Sequence, residues 1–288
     1  MSLDLIMDAV LDTAKLLPFL YLTYLFMEYL EEKAGEKTIH ALEKTRGWGP
    51  AVGAFTGIIP QCGFSAASAS LYAGGVITLG SLLAVFLSTS DEMLPILISQ
   101  RVHALSILKI MLAKVVLAAV TGFAVDAFLR VYRKYYPKKR HDIHELCDED
   151  DCHCEEGNIF ISALIHTAQI AAFILILSVI ISFLVELVGE ETIAGLLGDR
   201  PVVGVLLAGL AGLIPNCAAS VMITTLYLRG LLSAGQMMAG LLVGAGVGLL
   251  VLFRANRHYW KENLIILAGL YGVGVFWGLV IEVFGIVF

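Results

Sequence analysis

Apolar segments of about twenty residues recur along the whole length of this 288-residue chain. A helix that crosses a bilayer needs about 20 apolar residues, whereas one soluble core needs far fewer segments of that length. Only 15% of the residues are charged, against about 25% in soluble domains. We therefore predict an integral membrane protein. No cleavable signal peptide is expected, because the N-terminus lacks a basic region and a small-residue cleavage site.

The chain contains a copy of itself. The segment GIIPQCGFSAASASLYAGG (57–75) aligns without a gap with GLIPNCAASVMITTLYLRG (212–230). Both copies carry a Pro-polar-Cys signature, and the match continues from 76–87 onto 231–242. Because the matched residues include Pro, Cys, Tyr and polar positions, chance similarity between apolar stretches is a poor explanation, and we predict a duplicated fold.

The predicted domains are a first membrane half (1–132), an acidic Cys/His-rich linker (133–158) and a second membrane half (159–288). Each half reads as three long helices plus a Pro-broken helical hairpin, so the fold class is an all-α polytopic membrane protein with about ten helical segments. The predicted segments are about 5–31, 48–60, 63–75, 77–99 and 103–131, then 159–188, 201–215, 217–229, 232–254 and 259–286.

The short pieces beside each Pro-polar-Cys are too short to cross a bilayer squarely. They form either a re-entrant hairpin or two tilted spans, and either shape adds an even number of crossings. Each half then crosses an odd number of times, so we predict that the two halves are inverted, as in many secondary transporters. By the positive-inside rule the linker is cytoplasmic and both termini are external. The prediction that the linker is cytoplasmic rests on the basic residues Arg130, Arg133, Lys134, Lys138, Lys139 and Arg140.

Two prolines, Pro60 and Pro215, interrupt the hairpin segments and remove backbone hydrogen bonds. Irregular backbone at membrane depth is tolerated only inside the protein or beside a water-filled cavity. A two-fold relation between the halves would bring the two breaks face to face, where they could bind a substrate. The alternative is that each proline forms a hinge and that the small residues beside it serve only for tight packing. The candidate ligands are Gln61, Cys62, Ser65, Asn216, Cys217 and Ser220.

Two adjacent carboxylates, Asp91 and Glu92, lie within an otherwise apolar helix in the segment STSDEMLP (88–95). An acid at the bilayer centre costs about 2.5–3.5 kcal/mol on insertion scales, so the pair needs a cation, protons or water. Pro95 cannot bond to the carbonyl of Asp91, which favours a local break. With the hydroxyl of Thr89, these groups suit a divalent cation such as Mn²⁺, Mg²⁺ or Ca²⁺. A helix end in interfacial water is the alternative.

The acidic pair has no counterpart in the second copy, where the aligned positions are Gly246 and Val247. Any ion site is therefore asymmetric. The second copy instead has glycines at 240, 244 and 248, which we interpret as a face for close helix packing. Two lysines, Lys109 and Lys114, are predicted either to extend to the membrane surface or to pair with an acid such as Asp91.

The linker carries a cluster of cysteines and histidines among acidic residues, and such a cluster could hold a transition metal as an accessory site. The spacing of these residues matches no standard zinc finger, so the alternative is an acidic, solvated linker that binds no metal. The candidate ligands are Cys147, Cys152, His153 and Cys154.

The segment IPQCGFSAASASLYAGGVITLGSLLAVFLSTSDEMLPILIS (59–99) resembles the bacterial family of ten-transmembrane heavy-metal exporters, whose members are labelled manganese transporters or arsenic efflux proteins. The resemblance extends over nearly the whole chain, and GFSA and STSDEMLP are its most specific parts. It implies an inner-membrane exporter of a metal or metalloid.

The function predicted first is secondary export of a divalent metal ion, Mn²⁺-like, from a site at the membrane midplane between the halves. No Walker A motif is present, so coupling to protons through Asp91 or Glu92 is expected, and the chain is not expected to be an enzyme. No tightly bound cofactor is expected. The expected partners are the lipid bilayer, the metal ion and a coupling proton, without nucleic acid, and a homodimer stays open.

Two other functions stay open at this point. One is efflux of a metalloid or organic anion such as an arsenical, since helix N-termini at the Pro breaks favour an anion. The other is a membrane thiol-disulfide electron carrier, which would use Cys62 and Cys217 if their Cα atoms lie within about 7 Å.

Overall fold

The computed structural model describes residues 10–11, 14, 17–18, 20–22, 24–25, 46–59, 62–89, 93–135, 159–188, 201–215 and 217–288. The regular elements in these ranges are helical, which confirms the predicted all-α polytopic membrane protein. Short 3₁₀ turns cover Arg46–Trp48 and Arg257–Tyr259. The α-helices from residue 46 onward are α1 (Gly49–Thr56), α2 (Cys62–Ala73), α3 (Leu79–Ser88), α4 (Met93–Ser99), α5 (Ala104–Tyr135), α6 (Ile159–Val188), α7 (Pro201–Gly212), α8 (Cys217–Leu228), α9 (Ala234–Val243), α10 (Val247–Ala255) and α11 (Trp260–Val283).

The helices α1 to α5 recur in the same order as α7 to α11. Helices α2 and α8 each have 12 residues, and α3 and α9 each have 10. Both α2 and α8 end at a left-handed glycine, Gly75 (φ 70°) and Gly230 (φ 73°), where a side chain would be strained. The next amide bonds back to the carbonyl five positions earlier, at 2.9 and 3.0 Å. The aligned sequences thus form the same helices with the same ends.

Helix α5 runs to Tyr135, three residues into the predicted linker, and α6 begins at Ile159. Residues 136–158 lie outside the described ranges. The domain boundaries at 132 and 159 therefore stay a prediction.

Four apolar helical segments of the described chain are long enough to cross a membrane: Leu79–Ser99, Ala104–Val131, Ala234–Ala255 and Arg257–Val283. The first and third are 73% and 78% buried inside the protein, whereas the second and fourth are 28% and 33% buried. Each half thus contributes one interior segment, made of α3–α4 or α9–α10, and one peripheral segment, α5 or α11. The large apolar side chains exposed on the peripheral helices suit contact with lipid.

Each interior segment is joined at its first turn to the peripheral helix of the same half. The Thr78 hydroxyl accepts from the Ser81 amide (3.1 Å) and donates to Asp126 of α5 (2.6 Å). The equivalent Ser233 hydroxyl accepts from the Gln236 amide (3.1 Å) and donates to Glu282 of α11. Side chains of this kind satisfy amides that a helix N-terminus leaves without a partner.

The first hairpin is re-entrant. A Cβ atom on Gly49 would overlap the Ser81 hydroxyl, and one on Gly57 would overlap the Ser88 hydroxyl, so α1 runs alongside α3 in the same direction. Helix α2 ends just before the turn 74–78 that leads into α3. The start of α1 and the end of α2 therefore lie at one end of α3, and the hairpin tip lies near its other end. Helix α3 has 10 residues, or about 15 Å, whereas the hydrocarbon core is about 30 Å thick, so the tip reaches only about half of the span. This depth favours the re-entrant shape over two tilted spans.

Both interior segments are broken. Helix α3 ends at Ser88 and α4 begins at Met93, which confirms the predicted break near Pro95. The prediction of a continuous helix over 232–254 is wrong, because α9 ends at Val243 and α10 begins at Val247. Gly246 adopts a φ of 53° there, a left-handed conformation that glycine adopts at little cost. Of the glycines predicted to form a packing face, Gly244 follows the last residue of α9 and so also lies at this second break.

The second helix of each hairpin packs on the other half. Helix α2 lies against α10, α8 lies against α4, and the interior helices α3 and α9 meet between them. On the peripheral helices, the Trp277 indole N–H donates to the Thr121 hydroxyl at 3.0 Å. These two residues are equivalent, since Gly122 approaches the Gly80 carbonyl as Gly278 approaches the Gly235 carbonyl. A bond between equivalent positions is expected where a two-fold axis relates two copies.

Candidate functional site

The hairpin tips lie beside the ends of the interior helices. In the first half, Gly57 at the tip abuts Ser88, the last residue of α3. In the second half, Gly212 at the end of α7 abuts the backbone of Gly240 in α9. Because α3 and α9 also contact each other, the two tips and the two breaks belong to one central region between the halves.

Ser65, a predicted ligand, lies where the two halves meet. A Cβ atom on Gly248, directly after the second break, would lie 2.8 Å from both the Ser65 Cβ and the Phe86 ring. Ser65 is 0% exposed, and its carbonyl accepts from the Ser68 hydroxyl at 2.8 Å. The start of α2 is thus held between α3 of its own half and α10 of the other. The close approach at Gly248 also confirms a packing role for that glycine.

Ser220 is on the second hairpin, in α8, which packs on α4 of the first half. Its side chain is half-buried, and its carbonyl accepts from the Thr224 hydroxyl at 2.7 Å. Helix α4 directly follows Asp91 and Glu92 in the chain. The second hairpin therefore packs beside the helix that continues from the acidic pair.

Cys62 and Cys217 are the first residues of α2 and α8, so they begin equivalent helices at the two hairpin tips. Their side chains lie outside the described part of the structure. The remaining predicted ligands also fall outside the described ranges; they are Gln61, Asp91, Glu92 and Asn216, and in the linker Cys147, Cys152, His153 and Cys154. Within the described residues no three His, Cys, Asp or Glu side chains form a metal-binding group.

Thr89 caps the end of α3. Its amide donates to the Val85 carbonyl (2.9 Å), and its hydroxyl donates to the same oxygen (2.7 Å). The residue is 5% exposed and has left the helical conformation, with ψ 128°. Its hydroxyl hydrogen is thus used within α3, while its carbonyl lies at the break and is free to accept from another helix.

Lys114 of α5 makes that contact. Its side chain is 1% exposed, and its Nζ donates to the carbonyl oxygens of Thr89 and of Leu241 in α9, the latter at 3.1 Å. The sequence left open whether Lys114 extends to the membrane surface, and its burial excludes that. Lys109, on the same helix, is exposed. A lysine in the middle of the apolar span Ala104–Val131 was the signal in the sequence.

This arrangement can hold a cation. Carbonyl oxygens at a helix C-terminus carry partial negative charge, and Lys114 shows that two of them, one from each half, bind a positively charged group. The acidic pair follows Thr89 within three residues. Carbonyl and hydroxyl oxygens, together with carboxylates, are ligands typical of a hard or intermediate metal ion.

The comparisons with known proteins identify one family. The family described as "Putative, 10TM heavy-metal exporter" matches residues 2–189, which is more than half of the chain. The match includes the first half and the linker and ends before the second Pro-polar-Cys signature, so it is shorter than the resemblance expected from the sequence. No curated protein and no solved structure matches the chain.

Proposed function

The chain belongs to the family of ten-transmembrane heavy-metal exporters, and from that membership we propose that it exports a divalent metal ion by secondary active transport. The observation that carries the proposal is the break after Thr89. It lies in an interior segment that is 73% buried, and it directly precedes the two acids of the apolar span. Acids within a membrane segment often mark ion pathways and need a compensating cation, protons or water.

The proposed site lies between the halves, at the level of the two helix breaks. Asp91, Glu92 and the hydroxyl oxygen of Thr89 supply oxygen ligands, which suit Mn²⁺ as the first choice. The hairpin tips supply the other candidates, and their two cysteines would favour a softer ion. Those candidates are Gln61, Cys62, Ser65, Asn216, Cys217 and Ser220.

The proposed transport cycle uses inverted halves. The contacts of α2 with α10 and of α8 with α4 support it, because they place the second helix of each hairpin at the surface along which the halves would rock against each other. We place the protein in the inner membrane, with residues 133–158 in the cytoplasm and both termini outside. Carboxylates that bind the metal in one direction would carry protons in the other, which gives metal–proton exchange. The linker cysteines and His153 are proposed as an accessory metal site.

The test is metal transport into inside-out membrane vesicles with an imposed proton gradient. Wild-type protein should accumulate Mn²⁺, and Asp91→Asn and Glu92→Gln should each reduce the initial rate by about tenfold or more, because each removes a charged ligand. Glu190→Gln, in a loop outside the apolar segments, is the control and should transport normally. Transport at the wild-type rate by both acid variants would exclude the carboxylate site.

One observation favours a second candidate, export of a metalloid or organic anion. The buried ammonium of Lys114 adds positive charge at the first break. The same vesicles should therefore also be assayed with an arsenical anion such as arsenate. Accumulation of arsenate without Mn²⁺ would assign the protein to this second class.

A further inference from the structure

Lys114 has a place in the ion site that the metal-binding proposal does not use. Its Nζ joins the end of α3 in one half to Leu241 of α9 in the other, at the level of the first break. The surrounding span of 28 residues has a mean hydropathy of 2.0, and the lysine is 1% exposed within it. A charged group in such a position is expensive and usually functional.

Packing alone does not require this lysine. Helices α5 and α11 align so that Gly122 corresponds to Gly278 and Asp126 to Glu282, and Lys114 then corresponds to Leu270. Leu270 is 0% exposed, so the second half fills the same position with an apolar side chain.

The lysine and the acidic pair occur together in the first half and are both missing from the second. Where the first half has Asp91 and Glu92, the second has Gly246 and Val247. The lysine and the acidic pair lie at separate places in the chain, and both are charged in the first half. The equivalent residues of the second half are apolar or glycine. A shared role explains this pattern more simply than two separate ones.

Charge and chain geometry link the two features. Two carbonyl oxygens do not neutralise a buried ammonium, which also needs a carboxylate nearby. Asp91 is two residues beyond Thr89, and consecutive Cα atoms are 3.8 Å apart, so covalent geometry limits the distance between these two Cα atoms to about 7.6 Å. Asp126, on the same helix as Lys114, is 12 residues away, or about 18 Å along the axis.

We propose that Lys114 is the fixed counter-cation of the Asp91–Glu92 pair and that it limits how tightly the site binds a divalent cation. The counter-cation role is independent of the proposed function, whereas the effect on cation affinity rests on it. Without metal, the ammonium stabilises the two acids; with metal, its charge repels the ion and favours release. Lys114 is therefore a specificity-determining residue of the ion site.

The first part is tested without metal, by the thermal unfolding midpoint of the purified protein in detergent. Lys114→Met should lower the midpoint by several degrees, because it leaves two acids without their cation. Adding Glu92→Gln to Lys114→Met should recover part of that loss. The control Lys109→Met should leave the midpoint unchanged, and its effect should be additive with that of Glu92→Gln. If the effects of Lys114→Met and Glu92→Gln on the midpoint are strictly additive, Lys114 is not the counter-cation of the acidic pair.

A combined variant covers the case in which Lys114→Met does not fold. Asp91→Gly, Glu92→Val and Lys114→Leu together reproduce the residues of the second half. This triple variant should be more stable than Lys114→Leu alone. If Lys114→Leu alone is as stable as the triple variant, the counter-cation role is wrong.

The second part is tested by Mn²⁺ binding at equilibrium. Lys114→Met should bind Mn²⁺ about tenfold more tightly than wild type or more, whereas Lys114→Arg and Lys109→Met should bind as wild type does. Equal or weaker binding by Lys114→Met would overturn the effect on affinity. If wild type binds no Mn²⁺, the proposed function fails, and the metal-free unfolding experiment still decides the counter-cation role.

Discussion

Single glycines determine how closely the helices of each half approach one another. A Cβ atom on Gly278 of α11 would lie 2.5 Å from the Ala239 Cβ and 2.9 Å from the Gly235 carbonyl. Neither neighbour is the flexible end of a side chain. A Cβ atom on Gly269, in the same helix, would have no heavy atom within 4 Å. The two positions therefore separate a glycine that packing requires from one that it does not.

We expect Gly278→Ala to lower the free energy of unfolding by about 1–3 kcal/mol, because the added methyl group forces α9 and α11 apart. Gly269→Ala should be neutral or should stabilise the protein by up to about 1 kcal/mol, since alanine favours helix. Chemical unfolding of both variants in the same detergent measures the difference. Equal stability of the two variants would contradict the close packing of α9 on α11.

Residue types identified some parts of the site and missed others. The two acids and Pro95 stood out in the sequence because they are rare in apolar segments, and the helix does break between Ser88 and Met93. The sequence could not decide the role of Lys114, because a lysine in an apolar helix reaches either the membrane surface or a partner. Its burial depends on α9, which lies more than 100 residues further along the chain.

At the scale of elements, one carboxylate in each half joins a peripheral helix to the start of an interior helix. Asp126 is 8% exposed and accepts from the Thr78 hydroxyl (2.6 Å) and from the Gly80 amide (2.9 Å). Glu282 is half-buried and accepts from the Ser233 hydroxyl. These bonds fix where α3 and α9 begin relative to α5 and α11, and hence the level of the two breaks.

Asp126→Ala should lower the free energy of unfolding by about 1–3 kcal/mol, because it removes two hydrogen bonds to a charged acceptor and leaves a buried amide without its partner. Glu282→Ala should cost less, since that carboxylate is more exposed. Thermal unfolding midpoints of the two variants give the comparison. A larger loss for Glu282→Ala than for Asp126→Ala would show that burial does not control the strength of these contacts.

At the scale of the whole molecule, the proposed inversion places equivalent turns on opposite sides of the membrane. His103 follows α4 and His258 follows α10, and both are exposed. In a cysteine-depleted background, His103→Cys should react with an impermeant maleimide added to intact cells. His258→Cys should react only after the membrane is permeabilised. Reaction of both positions from the same side would exclude inverted halves.

The sequence by itself determined the membrane class, the helical fold and the duplication, and it located the first break. These properties depend on the length of apolar segments, on self-similarity and on the missing amide of proline, all of which are local. The tertiary structure alone decided that the first hairpin is re-entrant, that the second helix of each hairpin packs on the opposite half, and that Lys114 bridges the two halves. Those outcomes depend on which surfaces of distant segments fit closely together, and neither residue order nor composition specifies that fit.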